Sequence, residues 1–262
     1  MLILEILQCI PVVKIFARLE TDETFSSVDG HYLINVINHR FGKSMKHILV
    51  YGDSLTWGII PQTRRRLPFE ERWPGVLEAQ LIAGGKRVRV IEDCLNGRRT
   101  VWDDPFKPGR NGLHGIGQRI EANSPLALVI VMLGTNDFLA SHQIDAYHSA
   151  QGLAAIIRAI RAAPIEPGLP IPPILIVSPP VIRAPKGAIA AKFSADAEAR
   201  CSGIPTAQRQ IATEEGCAYF DAASVTTSSV VDGVHLDADQ HKRLGQALAG
   251  YVNSLLFDAE TA

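Results

Sequence analysis

Cysteine, charge of one sign and long apolar runs are all scarce in this sequence. Its four cysteines, Cys9, Cys94, Cys201 and Cys217, are too few to staple 262 residues. None stands in a CxxC pair, which excludes a zinc knuckle and a thioredoxin-like motif. Free thiols in a reducing compartment are the expectation. Lys and Arg number 26 against 27 Asp and Glu, a formal net charge of -1. That balance supplies no general field for holding nucleic acid or an anionic membrane, so neither is expected as a partner. No stretch reaches the roughly 18 unbroken apolar residues of a membrane-spanning helix. The nearest, MLILEILQCIPVVKIF at the N-terminus, is interrupted by Glu5, Gln8 and Pro11. It has no basic stretch before it and no clear small-residue cleavage site after it, so it does not read as a signal peptide. The plainer reading is an amphipathic helix or an extension without a structural role, and the cytoplasm is the expected compartment.

What the chain does have is the composition of an ordinary globular protein, 47% hydrophobic and 20% charged, long enough to bury a sizeable core. Residues 1–44 include the polar stretch TDETFSSVDGHY and show no alternation of strand and helix. They read as an extension, with the domain proper at 45–262. From Met45 onward, short apolar runs alternate with helical patterns, as buried parallel strands and their crossover helices do. Strands are predicted over 47–51, 88–93, 126–133, 174–177 and 218–220. Helices are predicted over 73–83, 146–163, 196–215 and 238–256, the last opened by a capping box at Asp237 and Gln240. The expected fold is α/β: one doubly wound, flavodoxin-like, five-stranded parallel sheet with helices on both faces in a three-layer sandwich. Three long connections, 59–72, 101–116 and 178–194, are candidates for shaping a pocket.

Four short motifs fall at strand ends or beside the last helix. Gly52-Asp53-Ser54-Leu55 follows the first strand, where glycine permits a sharp turn and Ser54 opens a helical segment with its hydroxyl exposed. Leu95-Asn96-Gly97-Arg98 follows the second, and Gly97 can offer an unobstructed amide. Gly134-Thr135-Asn136-Asp137 closes the central strand, and the amide of Asn136 is a suitable oxyanion donor. Asp232-Gly233-Val234-His235 precedes the last helix, with a spacing that lets a carboxylate orient an imidazole. Each has a bland alternative as a turn; their joint occurrence in chain order favours chemistry. Cys94 has no base suggested beside it and reads as a structural thiol. Arg64-Arg65-Arg66 reads as a solvated face or a subunit contact. Asp53, Asp137, Asp232 and His235 lack familiar metal-ligand spacing.

On these residues the chain resembles the SGNH, or GDSL, hydrolase family over about residues 46–257. GDSLTWG, the Asp103-Asp104-Pro105 turn, MLGTND, Val177-Ser178-Pro179-Pro180 and VDGVHL resemble its arylesterase and acyltransferase branch. The resemblance implies Ser54 as nucleophile, His235 as base and then acid, and Asp232 as the residue that fixes its tautomer. It implies an oxyanion hole from Ser54, Gly97 and Asn136, no cofactor and no metal. Trp57 and Val234 are the implied substrate contacts, Trp57 serving equally well as core packing. The branch also implies a small-molecule ester substrate, transfer of acyl groups to alcohols and a homo-oligomer. Arg99 departs from the pattern, standing where a small hydroxyl residue is expected. A carbohydrate acetylesterase is the close rival, and a non-catalytic binding module the rival of another class.

Overall fold

In the computed structural model of the protein, residues 44–258 are described; the expectations for the N-terminal extension fall outside them. Five strands carry the domain: β1 Lys46–Gly52, β2 Val88–Cys94, β3 Leu128–Met132, β4 Ile174–Ser178 and β5 Ala218–Asp221. They pair in the order β2-β1-β3-β4-β5, every pair parallel. The helices are α1 Ser54–Trp57, α2 Trp73–Ala83, α3 Ile116–Asn123, α4 Ala146–Arg161, α5 Ala197–Cys201, α6 Ile204–Glu214 and α7 Ala238–Leu256. Alternate residues of each strand serve opposite faces. Ile48, Val50, Leu128 and Ile130 pack with α2 and α7, whereas Leu49, Tyr51, Val129 and Val131 pack with α3, α4 and α6. Two buried faces explain why β3 and β4 are apolar at nearly every position.

The doubly wound sheet is the one the alternation predicts, with two local differences. Helix α3 was not anticipated, because its eight residues IGQRIEAN bury only Ile116 and Ile120 and give no sustained periodic signal. The single helix expected over 196–215 is two, α5 and α6, with the break at Ser202-Gly203. Pro205 causes the restart: it lacks an N–H and is tolerated in a first helical turn, where it stands in α6.

Order matters at the sheet's carboxyl edge. Chain progression reverses direction between β1 and β3, so a crevice opens there, between connections that leave for opposite faces. Behind it, α2 and α7 are clamped together. The backbone N–H of Trp73, at the start of α2, donates to His241 Nδ1 at 3.3 Å, which gives one orphan helix donor a partner. Burial, then the charges of Arg72 and His235, lower His241 to about 3, so the imidazole stays neutral and free to accept. One turn on, a Cβ at Gly245 would meet Val76 Cβ at 2.6 Å and the Trp73 carbonyl oxygen at 2.7 Å.

Gly245→Ala is therefore expected to destabilise the domain. Overpacking of this kind costs about 1–3 kcal/mol, which outweighs the ~1 kcal/mol that alanine gains in helix propensity. Urea unfolding measures the balance, and a stability equal to or above wild type would contradict the tight contact.

Candidate active site

Strand β1 ends at Gly52, and the chain turns at once into α1. Asp53 is the N-cap, its Oδ1 accepting the Leu55 N–H at 2.9 Å. Ser54 is thus the first helical residue, 6% exposed, on the rim of a cavity. Its Oγ lies 3.2 Å from His235 Nε2, although 181 residues separate the two in the chain.

The partner turn is rigid for a local reason. Asp232 Oδ1 accepts the backbone N–H groups of Val234 and His235, each at 2.9 Å. Its Oδ2 lies 2.6 Å from His235 Nδ1. Gly233 makes the turn possible: its φ is +77°, and a Cβ there would stand 2.1 Å from the Arg183 carbonyl oxygen. Burial pushes the Asp232 carboxyl up, but the hydrogen bond and charge of His235, with the two amides, bring it below the ordinary carboxylate range. An ionised carboxylate against Nδ1 requires the proton there and leaves Nε2 to accept from Ser54.

Gly97 and Asn136 reach the same place from β2 and β3. Gly97 adopts φ +85°, a conformation that favours glycine and keeps its backbone uncovered by a side chain. Asn136 lies in a tight turn over Thr135–Phe138 immediately after β3. Its Nδ2 donates to Asp53 Oδ2 at 2.9 Å and to the Arg98 carbonyl at 3.1 Å. Both acceptors fix the orientation of the amide. They also occupy its two hydrogens, so donation to a new anion requires sharing one of them. Arg98 is a residue that motif reading passed over. Its Nη1 donates to the carbonyls of Gly52 and Asp93, and its guanidinium stacks on the Tyr51 ring at 3.9 Å.

The cavity measures about 900 Å³ and is lined by Ser54, Gly97, Asn136, Asp232 and His235 together with residues of all three long connections. Neither Trp57 nor Val234 is in that lining. Trp57 is covered instead: the Arg66 guanidinium sits 4.8 Å over its ring, and Arg66 Nε donates to its carbonyl at 2.7 Å. Val234, 2% exposed, packs with Phe138, Ile182 and Ile204, so its side chain serves the wall behind the site. Within the triplet Arg64-Arg65-Arg66, Arg64 lines the cavity and Arg66 pairs with Glu92. Arg99 is buried in the wall, where Nη2 donates to Ser141 Oγ at 2.7 Å and Nη1 lies 2.7 Å from His142 Nδ1. Burial pushes the Cys94 thiol well above its usual range, which makes it a poor nucleophile. Among the described residues, no group of three or more His, Cys, Asp or Glu side chains is arranged to hold a metal ion.

Two further buried acids brace the site. Asp137 accepts from the Thr100 N–H at 2.9 Å, Thr100 Oγ1 at 2.8 Å and Ser149 Oγ at 2.6 Å, joining the loop after β2 to α4. Burial raises both Asp53 and Asp137 to about 6, against hydrogen bonds that pull the other way. The folded state therefore holds these protons more tightly than the unfolded chain does. Such a group contributes stability that is complete below pH ~4 and is lost as pH rises through ~6. In urea unfolding, the margin of wild type over Asp137→Asn should shrink between pH 4 and pH 7. A margin that is constant or grows with pH would contradict the assignment.

Several known proteins resemble this chain. Residues 50–243 match the GDSL-like Lipase/Acylhydrolase family. Among solved structures, the chain is similar to an aryl esterase from M. smegmatis, at 34% identity and a TM-score of 0.75, covering 80% of this chain and 100% of that one. It is similar to Est24, a carbohydrate acetylesterase from Sinorhizobium meliloti, at 30% identity and a TM-score of 0.75, covering 80% and 99%. A putative arylesterase from Agrobacterium tumefaciens shares 38% identity at a TM-score of 0.74, over 81% and 100%. Among curated proteins none matches the chain. With its five-stranded sheet and its motifs within the matched span, the chain belongs to the GDSL-like lipase/acylhydrolase family.

Proposed function

We propose that this ester hydrolase works through an acyl-enzyme on Ser54, with small acyl groups of aryl and alkyl esters as its substrates. One observation carries the reading: the unbroken chain from Ser54 Oγ through His235 to Asp232, with spacings of 3.2 Å and 2.6 Å, at the wall of a cavity. Ser54 Oγ attacks the ester carbonyl carbon as its proton passes to His235 Nε2. Asp232 holds the Nδ1 proton and stabilises the imidazolium that forms. The carbonyl electron pair moves onto oxygen, and the amides of Ser54 and Gly97 with Asn136 Nδ2 receive the charge. Asn136 does so by sharing its bond to the neutral Arg98 carbonyl, an acceptor that an oxyanion outcompetes. Collapse expels the alkoxide, which leaves with the proton from His235. Water or a second alcohol then attacks the acyl carbon by the same route in reverse.

The similarity to a carbohydrate acetylesterase favours a second reading, removal of acetyl groups from sugars. Comparison of glucose pentaacetate with phenyl acetate separates the two. A homo-oligomer belongs to the proposal as well. Phe106, 88% exposed, lies at the cavity edge, where a second copy would cover it. No helix among the described residues is long and apolar enough to cross a membrane.

Three measurements test the mechanism. Ser54→Ala and His235→Ala should each lower kcat by several orders of magnitude, and the double variant should be scarcely worse, because the triad acts as a unit. Asn136→Ala should cost about a hundred- to a thousandfold. Near-normal turnover by Ser54→Ala, or no labelling of wild type by a fluorophosphonate, would remove Ser54 as nucleophile. Acyl transfer is read from vinyl acetate with dilute benzyl alcohol, quantifying new ester and free acetate. A transfer fraction well above the alcohol's mole fraction is expected; acetate alone across several alcohols would leave a plain hydrolase.

A further inference from the structure

The wall of the cavity departs in charge from the rest of the chain. Arg64, Arg99, Lys107, Lys186 and Lys192 line it, against two carboxylates, Asp104 and Asp232. Asp232 is committed to His235. Asp104 is shared among Arg99 Nη2 at 3.4 Å and the backbone N–H groups of Phe106 and Lys107. Among the described residues, none of Arg64, Lys107, Lys186 and Lys192 pairs with a carboxylate. Lys107 and Lys186 reach only carbonyl oxygens, those of Asn96 at 3.3 Å and Val230 at 3.1 Å. A chain with a net charge of -1 has thus concentrated cations around the Ser54–His235 pair.

These cations also feel one another. Lys107 is held below the usual lysine range, first by partial burial and then by the charges of Arg110, Lys192 and Arg64, against the opposing pull of Asp104, so each of these three cations acts on it. Arg99 adds a second, independent sign. It is only 1% exposed, and its buried Nε has no hydrogen-bond partner among the described residues. A guanidinium this deep with an unused donor and one long carboxylate contact is under-neutralised. Clefts lined by one sign of charge concentrate ligands of the opposite sign.

We propose that the cavity selects esters that carry an anionic group, a carboxylate, sulfate or phosphate, placed so that Lys107, Lys192, Arg64 and Arg99 receive it while the ester carbonyl meets Ser54. This deepens the acyl-enzyme reading and rests on it. An anion in the cavity relieves the repulsion among the rim cations and gives the Arg99 side of the wall a counter-charge. Neutral esters enter without that gain, and cationic esters enter against it.

The test uses three acetates of one shape: 4-acetoxybenzoate, its methyl ester and 4-(trimethylammonio)phenyl acetate. Each kcat/KM is divided by the hydroxide rate of the same ester, which removes differences in leaving group. The anion should exceed the neutral ester by about tenfold at low salt, with the cation lowest. The spread should narrow as ionic strength passes ~0.1 M, where the Debye length is about 10 Å. Lys107→Gln with Lys192→Gln, both on exposed side chains, should reduce the anion-to-neutral ratio, and the paired Lys→Arg changes should keep it. Equal normalised values for all three esters, or a ratio unmoved in the double Gln variant, would overturn the charge selection and leave the esterase standing. Failure to hydrolyse any of the three would overturn the esterase reading itself.

Discussion

One side-chain amide ties three strand ends together. Asn136, just past β3, reaches with a single nitrogen to Asp53 beyond β1 and to the Arg98 carbonyl beyond β2. The strand order β2-β1-β3 makes this possible, because it seats β1 between the other two. Neither acceptor has an easy substitute in the buried setting, where an unpaired polar group costs far more than a hydrogen bond returns. Burial holds the Asp53 carboxyl at about 6, so this acid is expensive to ionise and the amide opposite helps to stabilise its charge. Ser54 follows Asp53 in the chain and inherits its position. Where the Ser54 hydroxyl stands is accordingly a consequence of polar satisfaction at the sheet's edge.

The second half of the site is organised independently. Asp232 grips its own turn through two amides before it touches His235, and Gly233 bends the chain where a side chain would strike Arg183. The following helix is fixed by its capping box, Asp237 N–H donating to Gln240 Oε1 at 2.8 Å, and by the close approach of Gly245 to α2. At Ser54 and His235 the two halves meet at a moderate length, 3.2 Å. That suits the proton transfer proposed between Ser54 and His235.

Much of this was legible in the residues, and the limits have physical causes. The strands show as apolar runs because both sheet faces are covered, and α7 shows through its cap and long periodic face. Ser54, Gly97, Asn136, Asp232 and His235 were legible as a set because each sits at a turn beside a regular element, in an order a parallel sheet can bring together. Pairings across strands were not. Asp53 and Asn136 lie 83 residues apart, and nothing local in either motif reveals the other. The resemblance implies substrate contacts at Trp57 and Val234, but a place in a motif says little about which way a side chain faces. Arg66 covers the one, and the packed cluster behind the site holds the other. The cationic wall was hidden for a related reason: Arg64, Arg99 with Lys107, and Lys186 with Lys192 come from three separate connections, and only the fold sums their charges.

The division between strand ends and loops has an evolutionary consequence. Ser54, Gly97 and Asn136 stand just past strand ends and His235 just before α7, whereas the rest of the cavity wall is built from connections whose lengths the sheet does not dictate. A lineage can lengthen, shorten or recharge those connections and so exchange one ester for another, while the hydroxyl, imidazole and amide keep their places. A change of ester then calls on some of the most replaceable parts of the molecule and leaves the positions of Ser54, Asn136 and His235 alone.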